Sequence, residues 1–409
     1  MIFTKQNIWK MFLYFVLPLL SAMIPFIVYP TITSLYGNKV IIAVGVAQSI
    51  GGACAVIGEL GWGVIGPQLI AGLDDEKKKF WYGKSLSSRL IISFFCIQIS
   101  VFICWLLVDD FLFSAIVMTI ATTCGGLLPI WYLIGLNKPE YILYLVVIPK
   151  LILCGISIVL IRIYGGLMFY SLALLLSFIV SMCLTSYFLK TPLIPKRNDF
   201  DGLKVLFKEH YQLVLGRVIS TFYTSLPITL IGFVNPAAVA VFTGVERLFR
   251  MALSVLSGFP SRLQSWIGTA SGHTRSKRIK ISIIVNFVVG LISMVGFAIT
   301  CYFISPYIYS NTIHISLGYS FLAGAIVATI CMSRGYGLAL VAIGISKKIS
   351  IANAASALVG VSAICFFGFF YGVLGGLLGE LLAEMIGLLV QYYYYNKYVK
   401  KGVQDIQPG

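Results

Sequence analysis

The sequence predicts an all-α, polytopic membrane protein with about 12 transmembrane helices in two halves of six, and three observations carry the membrane assignment. Of 409 residues, 59% are apolar and only 11% are charged, against about 45–50% and about 25% in an ordinary soluble domain. So few ionic groups do not coat a soluble surface. The mean hydropathy is +0.95, and the apolar residues gather in long runs without the strict alternation of a barrel strand. One helical crossing takes roughly 20 residues and twelve take about 240, which leaves no stretch for a sizeable soluble domain. Composition excludes a soluble enzyme, a secreted protein and a disordered chain.

The runs fall at about 11–33, 41–66, 90–108, 111–134, 141–161 and 166–188, then at 212–234, 236–258, 281–304, 315–340, 350–371 and 373–394. The first follows Lys5 and Lys10 in the manner of a signal peptide, but its length and the runs behind it make it an uncleaved anchor. Pro18, Pro25 and Pro30 in that run, and Pro227 in the seventh, free backbone carbonyls and bend the axis. The longest connection, Lys190–Tyr211 with Pro192 and Pro195, follows the sixth run. It divides the chain into an N-terminal six-helix bundle (1–188), a cytoplasmic linker (189–211), a C-terminal six-helix bundle (212–394) and a cytoplasmic tail (395–409). Gly45-Val46-Ala47-Gln48 and Gly244-Val245-Glu246-Arg247 form a faint echo between the halves, as repeated six-helix units do in transporters.

The net charge of +16 and a pI near 9.4 raise nucleic acid as a partner, but the placement of the charge argues against it. With the N-terminus inside, 23 of the 30 basic residues lie in cytoplasmic segments: Lys5 and Lys10, Lys77 to Arg89, Lys138, Lys190 to Lys208, Arg262 to Lys280, Lys347 and Lys348, and Lys397 to Lys401. The outer segments hold Lys39 and Arg162. That asymmetry is the positive-inside signature, puts both termini in the cytoplasm, and leaves no nucleic acid to explain.

Five basic residues remain inside the runs: Lys150, Arg217, Arg247, Arg250 and Arg334. A Lys or Arg at the bilayer centre costs about 2.5–3.5 kcal/mol on insertion scales, so each must face a watery cavity, pair with an acid or snorkel. Arg217 and Arg334 lie toward the cytoplasmic ends of their runs, where snorkelling and a cavity are both open to them. Lys150 stands mid-run beside Pro149. Arg247 and Arg250 are three apart and share a helix face, with Glu246 one turn from Arg250. The acids inside the runs are Glu59, Glu246, Glu380 and Glu384; each is open to reading as a coupling site or as a carboxyl kept neutral by its surroundings. Five cations against four acids favour an anionic cargo.

Other chemistry is not signalled. The nine cysteines (54, 96, 104, 124, 154, 183, 301, 331 and 365) fall within runs with no C-x-x-C spacing, as small buried residues do. His210, His273 and His314 lack ligand spacing, and there is no phosphate-binding P-loop. No metal and no cofactor is expected beyond coupling to H+ or Na+.

Several segments then resemble the Wzx-type O-antigen flippases, in the polysaccharide transporter family of the MOP superfamily. Pro129-Ile130-Trp131-Tyr132-Leu133-Ile134-Gly135-Leu136-Asn137-Lys138, followed by Lys150, is similar to the family's P-x-W-[FY]-[FY]-Q-G-x-E stretch, departing from it at Ile134 and Asn137. Gly61-Trp62-Gly63 through Lys78, Gly244 to Leu248, and Gly372 to Gly376 with Glu380 and Glu384 resemble further family segments. The resemblance implies two six-helix bundles around a central cavity open to one side at a time, an alternating-access carrier and not an enzyme. It would move an undecaprenyl-pyrophosphate-linked oligosaccharide from the cytoplasmic to the periplasmic leaflet of a bacterial inner membrane. Partners would be that lipid-linked oligosaccharide, membrane lipids and other polysaccharide-assembly proteins. Lys150, Arg247 and Arg250 would line the anion path with Arg217 and Arg334 at its entry; Tyr29, Tyr36, Trp131 and Tyr132 would stack on sugars or anchor at the interface. Competing readings are a multidrug or cation antiporter of the same superfamily and a membrane-bound polymerase or glycosyltransferase.

Overall fold

Long helices account for almost every described segment of the chain, and no strand occurs among the described residues. The computed structural model describes residues 5–404 apart from 71–72, 204–214, 217, 257–259, 261–262, 265, 268–271 and 346. Nine helices among them are long and apolar enough to cross a membrane, and the longest of these contains two of the expected runs. The chain is an all-α polytopic membrane protein, as its composition predicts. It divides into two compact units, one of residues 1–221 with 308–312 and one of 222–307 with 313–409.

In the first unit, α1 (Lys5–Tyr36) precedes α2 (Asn38–Gly58). The run expected to cross as one helix through residue 66 instead stops at Gly58. A turn follows with Leu60 and Gly61 at positive φ (52° and 75°), and α3 (Trp62–Ile70) starts afresh. Helix α4 (Asp75–Leu107) opens on Asp74, whose carboxylate accepts the Lys77 N–H at 3.0 Å. That hydrogen bond holds the Asp74 carboxyl below its usual range, and Asp75 and Glu76 complement the positive end of the helix dipole. Helix α5 (Leu112–Cys124) passes through a 3-10 turn at Gly125–Leu127 and Pro129 into the short α6 (Ile130–Gly135). Then come α7 (Pro139–Ile142), a π-helical stretch at Leu143–Val147, α8 (Ile148–Tyr164) and α9 (Met168–Leu189), which ends at Lys190 in the left-handed conformation.

The second unit contains α10 (Pro227–Val234), α11 (Val239–Leu256), α12 (Gly272–Ile308), α13 (Leu317–Ala342) and α14 (Lys347–Gln404). Asn235 and Pro236 break the chain between α10 and α11, where the Asn235 side chain donates to the Gly368 carbonyl at 3.2 Å. Helix α14 is two spans joined at Gly372, which sits at φ 56°, ψ −125°, a conformation open to glycine and strained for any residue with a Cβ. Its two arms meet through small residues: a Cβ on Gly360 would lie 2.6 Å from that of Ala383, the close approach that membrane helices use in place of hydrophobic burial.

Outward faces are apolar. Phe94, Phe95, Ile99, Phe102 and Trp105 on α4, and Phe366, Phe369 and Phe370 on α14, are exposed. Such a surface would associate in water and is what hydrocarbon covers. Inward faces carry polar groups, with Ser85, Ser87, Ser88, Ser93 and Ser100 of α4 all buried.

Candidate functional site

Among the charged groups of the first unit, Lys150, Arg89 and Glu59 lie on or at the ends of long apolar helices. Lys150 lies two residues after the π-helical stretch, next to Pro149, which has no N–H to donate. Widened turns of this kind recur at functional positions because they displace a side chain from the regular helical register. The Lys150 side chain is half-buried, has Cys154 one turn on as an electrostatic neighbour, and makes no salt bridge among the described residues. It is an unneutralised cation on a spanning helix.

Arg89, one of the basic residues of the segment before the third run, is not a solvated loop charge. Its side chain is fully buried, and its guanidinium donates to the carbonyls of Gly126 at 3.1 Å and Leu128 at 3.2 Å and, through Nε, to Ser85 at 3.3 Å. These carbonyls belong to the break between α5 and α6, where helix ends leave acceptors unmatched. Arg89 therefore braces the turn that carries Trp131 and Tyr132. Glu59, half-buried at the end of α2, attracts it electrostatically. A helix that starts at Asp75 places Arg89 about 21 Å along its axis, at 1.5 Å per residue.

The four aromatic residues expected near sugars all make packing contacts. Trp131 is 2% exposed and lies 5.1 Å from the Trp62 ring; Tyr132 meets Tyr82 edge-on, also at 5.1 Å. Tyr29 is buried and packs edge-on with Phe26 at 5.5 Å. Tyr36 is half-buried against Phe111 at 5.2 Å, and its hydroxyl accepts the Gly166 N–H.

In the second unit, Arg250 on α11 is gripped by two carboxylates. Its Nε donates to Glu246 Oε1 at 2.9 Å, one turn back, and its Nη2 donates to Glu380 Oε1 on α14 at 2.7 Å. Glu246 and Glu380 are 4% and 0% exposed, so the positive charge of Arg250 is fully committed. Arg247, on the same helix, is half-buried. One turn beyond Glu380 stands Glu384, half-buried. It borders a cavity of about 290 Å³ whose lining includes Arg334 of α13 and Gln391 of α14. Arg217 lies outside the described residues. The second unit thus sets three acids, Glu246, Glu380 and Glu384, near Arg250 and Arg334, whereas Lys150 of the first unit has no salt bridge among the described residues.

These helices and interior charges define a membrane protein with the fold of MOP superfamily transporters. The lipid II flippase MurJ in an inward closed conformation superposes with a TM-score of 0.72 at 14% identity, over 95% of this chain and 87% of that one. An inward-facing multidrug resistance MATE family transporter gives 0.67 at 16% identity, over 95% and 96%. A MOP superfamily transporter from Pyrococcus furiosus, described as having a binding pocket of reverse polarity, gives 0.64 at 16%, over 96% and 95%. At these identities the likeness establishes the fold. The chain belongs to the polysaccharide biosynthesis protein family, whose model matches residues 8–263, and the resemblance read from the motifs is borne out at that level. No curated protein matches the sequence.

Proposed function

We propose that this protein is a flippase that carries an undecaprenyl-pyrophosphate-linked oligosaccharide, an O-antigen repeat unit, from the cytoplasmic to the periplasmic leaflet of a bacterial inner membrane. In this reading both termini are cytoplasmic and two six-helix bundles expose the path to one leaflet at a time. Other polysaccharide-assembly proteins supply and consume the cargo. Family membership supports handling of a polysaccharide precursor.

The observation that carries the reading is Lys150. Moving a diphosphate headgroup through about 30 Å of hydrocarbon requires cations along the path, because an unpaired buried charge is very costly. Lys150 is a spanning-helix cation without a salt bridge among the described residues, and Arg217 and Arg247 are the further cations this reading offers to the headgroup. Coupling to a proton falls to Glu59 and Glu384, and coupling to sodium to Glu59, since Glu246 and Glu380 are held by Arg250.

The test is Lys150→Ala in cells, with lipid-linked oligosaccharide followed in both leaflets. Loss of the gene should strand it on the cytoplasmic side, and Lys150→Ala should slow its appearance outside at least tenfold, about 1.4 kcal/mol of barrier, at normal protein level. Unchanged translocation would remove the cationic path. A cation antiporter is the second reading, favoured by the three carboxylates Glu246, Glu380 and Glu384 gathered in one unit; resistance to organic cations that vanishes with the gene, beside normal lipid-linked oligosaccharide, would select it.

A further inference from the structure

The cavity in the second unit has a chemistry of its own. Arg334 Nη1 and Gln391 Oε1 are both buried without a hydrogen-bond partner among the described residues. One is a donor and the other an acceptor. The Gln391 amide is held in place by its other end, which donates to Ser333 Oγ at 2.9 Å. Glu384 shares the cavity with Arg334, yet the two form no salt bridge within 4.0 Å. Glu384 and Gln391 are seven residues apart, two helical turns or about 10 Å, on one face of α14. The exposed Gln264 stands at the rim, and Ile330 and Leu338 supply apolar wall.

We propose that this cavity is a subsite for a sugar ring of the cargo, selecting hydroxyl groups rather than charge. The inference rests on the flippase reading and deepens it. A buried donor or acceptor left unpaired is penalised by about 1–3 kcal/mol, so a ligand that satisfies both orphans is favoured. A phosphate offers acceptors for Arg334 but no donor for Gln391 or Glu384. A sodium ion offers nothing to Arg334 and is repelled by it. A hydroxyl both donates and accepts, so a ring carrying several offers partners of both kinds to the groups that line this cavity. Arg334 and Glu384 cancel in charge, which suits a neutral saccharide. The volume of about 290 Å³ equals that of about ten water molecules at ~30 Å³ each, enough for one pyranose ring with its CH faces on the apolar wall.

The experiment measures binding of lipid-linked oligosaccharide, extracted from cells lacking this protein, to the full-length chain in lipid nanodiscs. The competitors are the free oligosaccharide released from that lipid by mild acid, and undecaprenyl phosphate. The expected result is that free oligosaccharide competes at the wild-type protein, that Gln391→Leu weakens binding of the full cargo at least tenfold and abolishes that competition, and that competition by undecaprenyl phosphate is unchanged. Ser333→Ala, which releases the Gln391 amide without adding bulk, should weaken sugar competition in the same direction and serves if Gln391→Leu does not fold. The subsite is overturned if free oligosaccharide fails to compete at the wild-type protein, if the folded variants keep wild-type affinity, or if water alone accounts for the cavity and filling it with Gly337→Leu leaves binding intact. A wild-type protein that binds no lipid-linked oligosaccharide at all would instead overturn the flippase reading itself.

Discussion

Replacing Arg250 by methionine removes the one cation that bridges Glu246 and Glu380. Both carboxylates are almost fully buried, at 2.9 and 2.7 Å from the guanidinium, and water does not replace it. Breaking a buried ion pair by removing one partner costs about 3–5 kcal/mol, a large share of a typical folding stability of about 5–15 kcal/mol. At about 2–4 °C of Tm per kcal/mol for a unit of this size, the melting temperature should fall by at least several degrees. The triple variant Arg250→Met with Glu246→Gln and Glu380→Gln removes the stranded charges and should recover most of the loss, because a neutral replacement of similar volume is often as stable as the pair. The assay is thermal unfolding of the purified chain in nanodiscs, with protein level in cells as a second readout. An unchanged Tm for Arg250→Met, or a triple variant no better than the single, would refute a structural role for Arg250.

Three further outcomes follow from the same geometry. Arg89→Met should lower stability by roughly 1.5–3 kcal/mol for each of its charge-assisted bonds to Gly126 and Leu128, read as Tm. Arg89→Lys should restore little of it, since a lysine point charge does not fork onto two carbonyls. Gly372→Ala should lower Tm through backbone strain of about 1–3 kcal/mol at the bend of α14, without altering cargo affinity. The Asp74 cap contributes stability above the ordinary carboxylate range and loses it as pH falls through its lowered value. Protection of the Lys77 amide from hydrogen exchange should therefore persist at the ordinary aspartate pKa of about 3.9, and vanish at every pH in Asp74→Ala.

The spans were legible because hydrocarbon imposes a simple rule: a run of apolar residues as long as the bilayer is thick becomes a helix. Run 141–161 lies within Pro139–Tyr164, run 166–188 matches Met168–Leu189 to within two residues, and the division of 350–394 into two spans shows as the turn at Gly372. The interruptions were harder to see. In the hydropathy of 41–66 a single charge, Glu59, marks the stop at Gly58, and the turn itself depends on the positive φ of Leu60 and Gly61. The pairing of Glu246 with Arg250 could be read from i, i+4 spacing, but that of Arg250 with Glu380 joins positions 130 apart, and only packing reveals it. This is why the sequence leaves Arg250 between a cavity cation and a partner of Glu246, and the fold shows it held by two carboxylates. Trp131 likewise reads as an aromatic face for a sugar, whereas Gly66 has no Cβ to keep the indole at a distance and the ring is covered. Lys150 was legible as expensive; its place beside a π-helical stretch was not, because hydrogen-bond register has no signature in composition.

The central claim is tested most directly by reconstituting the purified protein into liposomes that carry lipid-linked oligosaccharide on one leaflet, and timing its appearance on the other with a membrane-impermeant sugar-binding reagent. Translocation that requires the wild-type protein and slows at least tenfold in Lys150→Ala, about 1.4 kcal/mol, is the predicted result; a wild-type rate equal to that of protein-free liposomes would contradict it.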